Sequence, residues 1–245
     1  MTGDDRFGLI VGSGMSDFGG ESESRVEDTP LGAPSAALRE VTLAGRQIVV
    51  LPRHGDKHDI APHKVNYRAN VLALHQRDVT AIISVNTVGV IPRSPEPGEL
   101  AVPDQLIDYT FGREHTFCDG GFMPLDHLEF TEPFCPSLRA DLLAAARRAA
   151  IPCTDGGTYG VTQGPRLETA AEVDRLERDG VAYVGMTAMP EVALARELGL
   201  RVVCLSLIVN PAAGRGQGSI HGDIEASISE SRRRAEQLLE AFFAR

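Results

Sequence analysis

The stretch from Thr158 to Val209, TYGVTQGPRLETAAEVDRLERDGVAYVGMTAMPEVALARELGLRVVCLSLIV, decides the fold. Thr158–Thr162 reads as a short strand and Glu168–Arg178 has helical spacing. Ala182–Gly185 is a second apolar run, and Pro190–Leu198 is a helix with proline in its first turn. Arg201–Val209 is the most apolar strand of the chain. Strands that are apolar throughout, separated by helices, belong to an α/β protein whose sheet is covered on both faces.

The same alternation extends outward. Upstream, Phe7–Val11 ends in the Gly-rich turn GSGMSDFGG, and Val41–Leu43 and Gln47–Leu51 flank Ala44-Gly45-Arg46 as a hairpin. Asn66–Gln76 has helical spacing, Thr80–Val85 is a buried strand running into Asn86-Thr87-Val88-Gly89, and Leu100–Tyr109 is extended. Ser137–Ala150 and Asp223–Ala244 read as amphipathic helices. With no repeat, heptad or linker, residues 1–245 are expected to form one α/β domain, a central mixed sheet flanked by helices.

Composition excludes several classes. The 245 residues are 42% hydrophobic, and 34 acidic against 24 basic residues give a net charge of −10. That field disfavours nucleic acid and anionic membranes as partners, but a few local donors can still hold a small anion. No apolar run approaches the roughly 18 residues of a membrane span. MTGDDRFG lacks a signal-peptide pattern, and Cys118, Cys135, Cys153 and Cys204 form no CxxC pair. A cytoplasmic protein with reduced thiols is the expectation.

In open α/β sheets ligands bind beyond the carboxyl ends of the strands. The residues following the apolar runs are Gly12-Ser13-Gly14, Arg53-His54-Gly55, Asn86-Thr87, Gln163-Gly164-Pro165, Gly185-Met186-Thr187 and Asn210. Backbone N–H groups, hydroxyls and one cation are what an oxyanion such as phosphate needs. GSGMSDFGG by itself reads equally as a tight strand-to-helix turn. It lacks the third glycine of a dinucleotide fingerprint, since Asp17 stands there, and it lacks the Gly-Lys-Ser/Thr of a Walker loop. The cluster RHGDKHDIAPHK gathers His54, His58, Asp59 and His63, but Gly55 and Pro62 break any helix that could present paired metal ligands. An anion site is preferred there, and no metal is expected.

Five blocks together carry a family likeness: RHGDKHDIAPHKVNYRANVLAL from Arg53, VNTVGVIPRSPEPGELAVPDQLIDYTFGREHTF from Val85, QGPRLETAAEVDRLERDG from Gln163, VGMTAMPEVALARELGL from Val184 and VNPAAG from Val209. They resemble the methylthioadenosine phosphorylase branch of the trimeric purine nucleoside phosphorylases. The resemblance implies a twisted nucleoside-phosphorylase sheet and a homotrimer with sites at subunit interfaces. It implies phosphorolysis, in which phosphate attacks C1′ of a purine nucleoside, with phosphate as co-substrate and neither metal nor organic cofactor. By the same resemblance Ser13, Arg53, His54, Asn86, Thr87 and Thr187 match phosphate-binding positions, and Met186 matches the residue packed against the ribose. Leu167 stands where relatives usually stack a Phe near the base. His127 matches a histidine given to the neighbouring subunit's 5′ pocket, although it also reads as a plain loop histidine. His221 aligns across the 214–222 loop with a histidine that contacts a 5′-hydroxyl. That loop reads either as a mobile lid or as a surface connection.

Two positions bear on the base. Adenosine-type relatives carry Asp at the positions of Asn210 and Ala212. An amide at Asn210 can donate to O6 while its carbonyl accepts from N7–H of a 6-oxopurine. Glu168 aligns with a Glu that accepts from N1–H, a proton adenine lacks. Its plainer reading is a helix N-terminal carboxylate balancing the dipole. With His54 the third residue placed at the chemistry, a 6-oxopurine nucleoside is expected as substrate: methylthioinosine, or inosine or guanosine if His221 faces the pocket. An adenosine-type or methylthioadenosine phosphorylase is the second reading, and a non-catalytic nucleoside-binding protein the third.

Overall fold

The computed structural model describes residues 5–20, 24–25, 27–216 and 224–244. The strands are β1 (Phe7–Val11), β2 (Ser24–Arg25), β3 (Leu38–Leu43), β4 (Arg46–Pro52), β5 (Ala81–Val90), β6 (Leu100–Val102), β7 (Gln105–Asp108), β8 (Cys153–Asp155), β9 (Thr158–Val161), β10 (Val181–Gly185) and β11 (Arg201–Pro211). The helices are α1 (Tyr67–His75), α2 (Pro136–Arg148), α3 (Ala170–Arg178), α4 (Ala188–Glu197) and α5 (Ile224–Phe243).

One mixed sheet runs β2-β3-β4-β1-β5-β10-β9-β7, with β11, β6 and β8 branching from β5. The branch exists because β5 is long. Its first half pairs in parallel with β1, its last two residues pair antiparallel with β10, and β11 lies parallel along its other edge. Period-two alternation divides the strands between two cores. Phe7, Leu9, Ile48, Val50, Ile83, Val203 and Leu205 pack under α2 and α5. Ile10, Val49, Leu51, Ile82, Val202 and Cys204 pack under α1 and α4. A smaller cluster around Val173, Leu176 and Ala212 seats α3.

The strand reading differs from the sequence expectation at β5. Asn86 and Thr87 do not follow the strand but lie within it, because pairing with β11 continues through Ser206↔Asn86 and Leu207↔Thr87. Alternation then sends the Asn86 side chain into the interior and leaves Thr87 half-buried. At α4, Met189 is extended (φ −111°, ψ 138°), so the regular helix begins at Pro190. The short strands β2 and β8 carry too little apolar pattern to be read from sequence.

Between Ile208 and Asn210 the β11 register slips by one residue, placing Asn210 across from Gly89. Bulges of this kind re-aim side chains next to sites. A Cβ on Gly89 would lie 3.2 Å from Asn210 Nδ2, so the glycine leaves room for the amide.

Candidate active site

A cleft of 540 Å³ opens where the β1, β4 and β10 ends, the C-terminal part of β5 and the bulge of β11 converge. Ser13, Arg53, His54, Thr87, Leu167, Glu168, Met186, Thr187, Asn210 and Ala212 line it. It brings together ten residues spread over 200 positions of sequence, of the size expected for a small-molecule site.

Its floor is electrically balanced. Arg53 is 0% exposed. Its Nε donates to Glu191 Oε2 (2.7 Å) and its Nη2 to Glu191 Oε1 (2.9 Å) and Ser84 Oγ (3.0 Å). Nη1 donates to Val85 O (3.0 Å). Burial works against the guanidinium charge, and the Glu191 carboxylate more than offsets it, so the pKa of Arg53 is raised. Of the five N–H groups, the second on Nη1 remains, beside Gly12 at the cleft floor, where a Cβ would come within 2.7 Å of Nη1.

His54 contributes no positive charge. Its Nδ1 donates to Ile60 O (2.8 Å), since a carbonyl can only accept, which leaves Nε2 as a lone-pair acceptor. Burial, and then the Arg53 guanidinium, push its pKa down to about 4. His58 closes the rim, with its Nε2 2.8 Å from Ser13 Oγ and its ring centroid 5.0 Å from that of His54. Thr187 is the N-cap of α4 yet makes no side-chain cap bond, so its hydroxyl is available to other partners. Oriented to satisfy its neighbours, the Asn86 amide accepts at Oδ1 from Thr187 Oγ1 (3.2 Å) and Arg53 Nη2 (3.2 Å), beneath the cleft wall and outside its lining.

On the opposite wall, α3 is closed by a capping box. Thr169 Oγ1 accepts from Glu172 N (3.1 Å), and Glu172 Oε2 accepts from Thr169 N (2.7 Å). Arg166 grips the same Glu172 at 2.7 and 2.8 Å. Glu168 precedes the cap, takes no part in the box and lines both the cleft and a neighbouring pocket, with Oε1 accepting from Thr162 Oγ1 (2.6 Å). The Asn210 amide is steadied by Nδ2 donating to Pro211 O (2.6 Å). Leu167 stands at the rim, 43% exposed.

Comparison with known proteins fits this geometry. A family model described as the phosphorylase superfamily matches residues 6–244. A probable S-methyl-5′-thioinosine phosphorylase of Xanthomonas campestris pv. campestris is 51% identical over 77% of this chain and 76% of its own. A protein of the same description from Pseudomonas syringae pv. tomato is 45% identical over 91% of this chain and 92% of its own. The chain belongs to the phosphorylase superfamily. Methylthioadenosine phosphorylase from Schistosoma mansoni, solved with tubercidin, superposes on this phosphorylase with a TM-score of 0.91 at 32% identity, covering 98% of this chain and 91% of that one.

Of the expected residues that are described, two are not in the cleft lining. Asn86 lies behind it, and His127 is exposed on the irregular segment between β7 and α2. His221 lies outside the described residues, as do residues 217–222 of the 214–222 loop. Among the described residues, no group of three or more His, Cys, Asp or Glu is placed to hold a metal ion, and no helix is long and apolar enough to cross a membrane.

Several residues of this phosphorylase's site escaped sequence reasoning. His58 carried a signal as part of RHGDKHD, a cluster whose composition favours an anion over a metal, but no role of its own follows from sequence. Glu191 offered one signal, a lone acid in the apolar run MPEVALA. Arg113 offered none: it is buried in an irregular segment and donates to the carbonyls of Met186 (2.9 Å), Met189 (2.6 Å) and Gln163 (2.9 Å). It thereby ties together the two loops that carry the cleft's opposite walls.

Proposed function

We propose that this phosphorylase cleaves 6-oxopurine nucleosides, with methylthioinosine the leading substrate and inosine or guanosine next. A phosphate oxygen attacks C1′, the C1′–N9 bond breaks, and its electron pair leaves with the base. A neutral purine leaves poorly, so charge developing on the base must be met by placed donors and acceptors. Asn210 would donate to O6 and, once the departing base takes up a proton from solvent at N7, accept from N7–H, and Glu168 would accept from N1–H. Ser13, Thr87, Thr187 and the remaining Arg53 N–H would hold phosphate below C1′, with Asn86 behind Thr187 and neutral His54 accepting from a phosphate hydroxyl. Met186 would pack on the ribose and Leu167 against the base, beside Ala212.

The observation that carries the base preference is the division of labour at α3. Glu172 closes the cap, so Glu168 is not spent on the helix and stands in the cleft lining. Inorganic phosphate is the co-substrate in this reading, without metal or organic cofactor, in a cytoplasmic enzyme of one domain. The homotrimer, with His127 reaching a neighbouring copy's 5′ pocket, belongs to the same reading, and exposed Phe111 and Leu125 on the β7–α2 segment that carries His127 offer apolar surface for a second copy to cover. A His221 at the 5′ group would favour inosine or guanosine over methylthioinosine. The test is release of free base from methylthioinosine, inosine, guanosine and methylthioadenosine, each with and without phosphate. Faster phosphate-dependent cleavage of the 6-oxopurine compounds is expected; faster cleavage of methylthioadenosine overturns the reading.

A further inference from the structure

We infer that Thr162 is a positioning residue for base selection, acting through Glu168; the inference rests on the reading of Glu168 given above. Thr162 follows β9, and its backbone N–H donates to Gly185 O (2.8 Å), which fixes it to the end of β10. Its hydroxyl donates to Glu168 Oε1 at 2.6 Å, the length of a bond to a charged oxygen. Thr162 is absent from the cleft lining and lines a neighbouring pocket that Glu168 also lines, so Glu168 stands between the two with Oε1 held on the Thr162 side.

Glu168 needs such a support. Pro165, Arg166 and Leu167, which lead into it, are all exposed. A glutamate at the end of an exposed loop has three rotatable bonds to arrest before it can meet a base edge. The hydroxyl engages Oε1 and leaves Oε2 as the acceptor for an incoming N–H. Held in that orientation the carboxylate selects in two directions. It meets the N1–H of a 6-oxopurine without reorganising, and it opposes the N1 lone pair of a 6-aminopurine because it cannot turn aside.

The chemistry predicts different consequences for two near-isosteric changes. T162V removes the donor and keeps the shape, whereas T162S keeps the donor. In T162V, kcat/KM for inosine or methylthioinosine should fall about tenfold, as for loss of one hydrogen bond to a charged group. The value for methylthioadenosine should be unchanged or rise, so that the 6-oxo to 6-amino ratio drops. T162S should keep the wild-type ratio within about twofold, and T162V should add nothing to the ratio in an E168Q background. If T162V does not fold, T162A replaces it in the same comparison. Equal loss on both substrate classes, or an unchanged ratio, overturns the inference while leaving the proposed function standing. A wild-type enzyme that prefers 6-aminopurine nucleosides removes both, and this outcome appears before any variant is made.

Discussion

Glu191 and Arg53, 138 positions apart in sequence, meet through two hydrogen bonds of 2.7 and 2.9 Å, both side chains withdrawn from solvent. The pair makes the cleft floor rigid and nearly neutral. An anion arriving there meets fixed hydroxyls, one guanidinium N–H and a neutral imidazole rather than a free cation.

Breaking the pair from one side should be costly. Glu191→Gln leaves the Arg53 charge buried without its counter-ion, and a loss of about 3–5 kcal/mol in unfolding free energy is expected from urea denaturation. Replacing both partners, Arg53→Met with Glu191→Leu, should recover much of that stability while phosphate-dependent turnover stays lost. A Glu191→Gln protein as stable as wild type would remove the argument.

His54 links stability to pH. Its pKa falls from 6.5 to about 4 on folding, so the unfolded chain binds the extra proton between those values. The stabilisation is complete above pH 6.5 and is lost as pH falls toward 4, with about 2 kcal/mol gone at pH 5. His54→Gln should flatten that part of the stability profile between pH 7.5 and 5. An equal slope in the variant would assign the acid sensitivity elsewhere.

Ser13 is expected to act on phosphate alone. Ser13→Ala removes a hydroxyl and leaves His58 Nε2 without its 2.8 Å partner. The KM for phosphate should rise about tenfold, the effect of one hydrogen bond to a charged group, with the KM for nucleoside unchanged. Steady-state kinetics with each substrate varied in turn would show it, and a rise confined to the nucleoside would place Ser13 elsewhere in the reaction.

Asn210→Asp should move the base preference toward 6-aminopurines. A protonated carboxyl donates to N7 and accepts from a 6-amino group, and unlike an amide it can pass its proton to N7 as the base leaves. The ratio of kcat/KM for methylthioadenosine over methylthioinosine should rise about tenfold, roughly one good polar contact exchanged for another. The Gly89 side of the bulge leaves room for the substitution, since Asp is no larger than Asn. No change in the ratio would detach Asn210 from base reading.

The sheet was legible because its strands are apolar on both faces, from Phe7–Val11 through Arg201–Val209. The cleft was legible because its donors follow those strands in sequence. What escaped reading depends on distant parts of the chain. The burial of Asn86 follows from β11 pairing past the point where the apolar run ends. The pairing of Arg53 with Glu191 joins two elements that no local pattern connects. Glu168 differs: Thr169-Ala170-Ala171-Glu172 has the spacing of a capping box, so the sequence itself carries the signal that Glu172 rather than Glu168 serves the helix end.

The neutrality of His54 has a consequence for which oxyanion the cleft would admit. An imidazole whose Nδ1 is committed to Ile60 O presents only a lone pair at Nε2, and a lone pair is satisfied by an oxyanion that carries a proton. Phosphate near neutral pH always carries at least one; sulfate, of the same shape and charge class, carries none. A single backbone carbonyl, by fixing a tautomer, thus becomes a means of telling two tetrahedral anions apart.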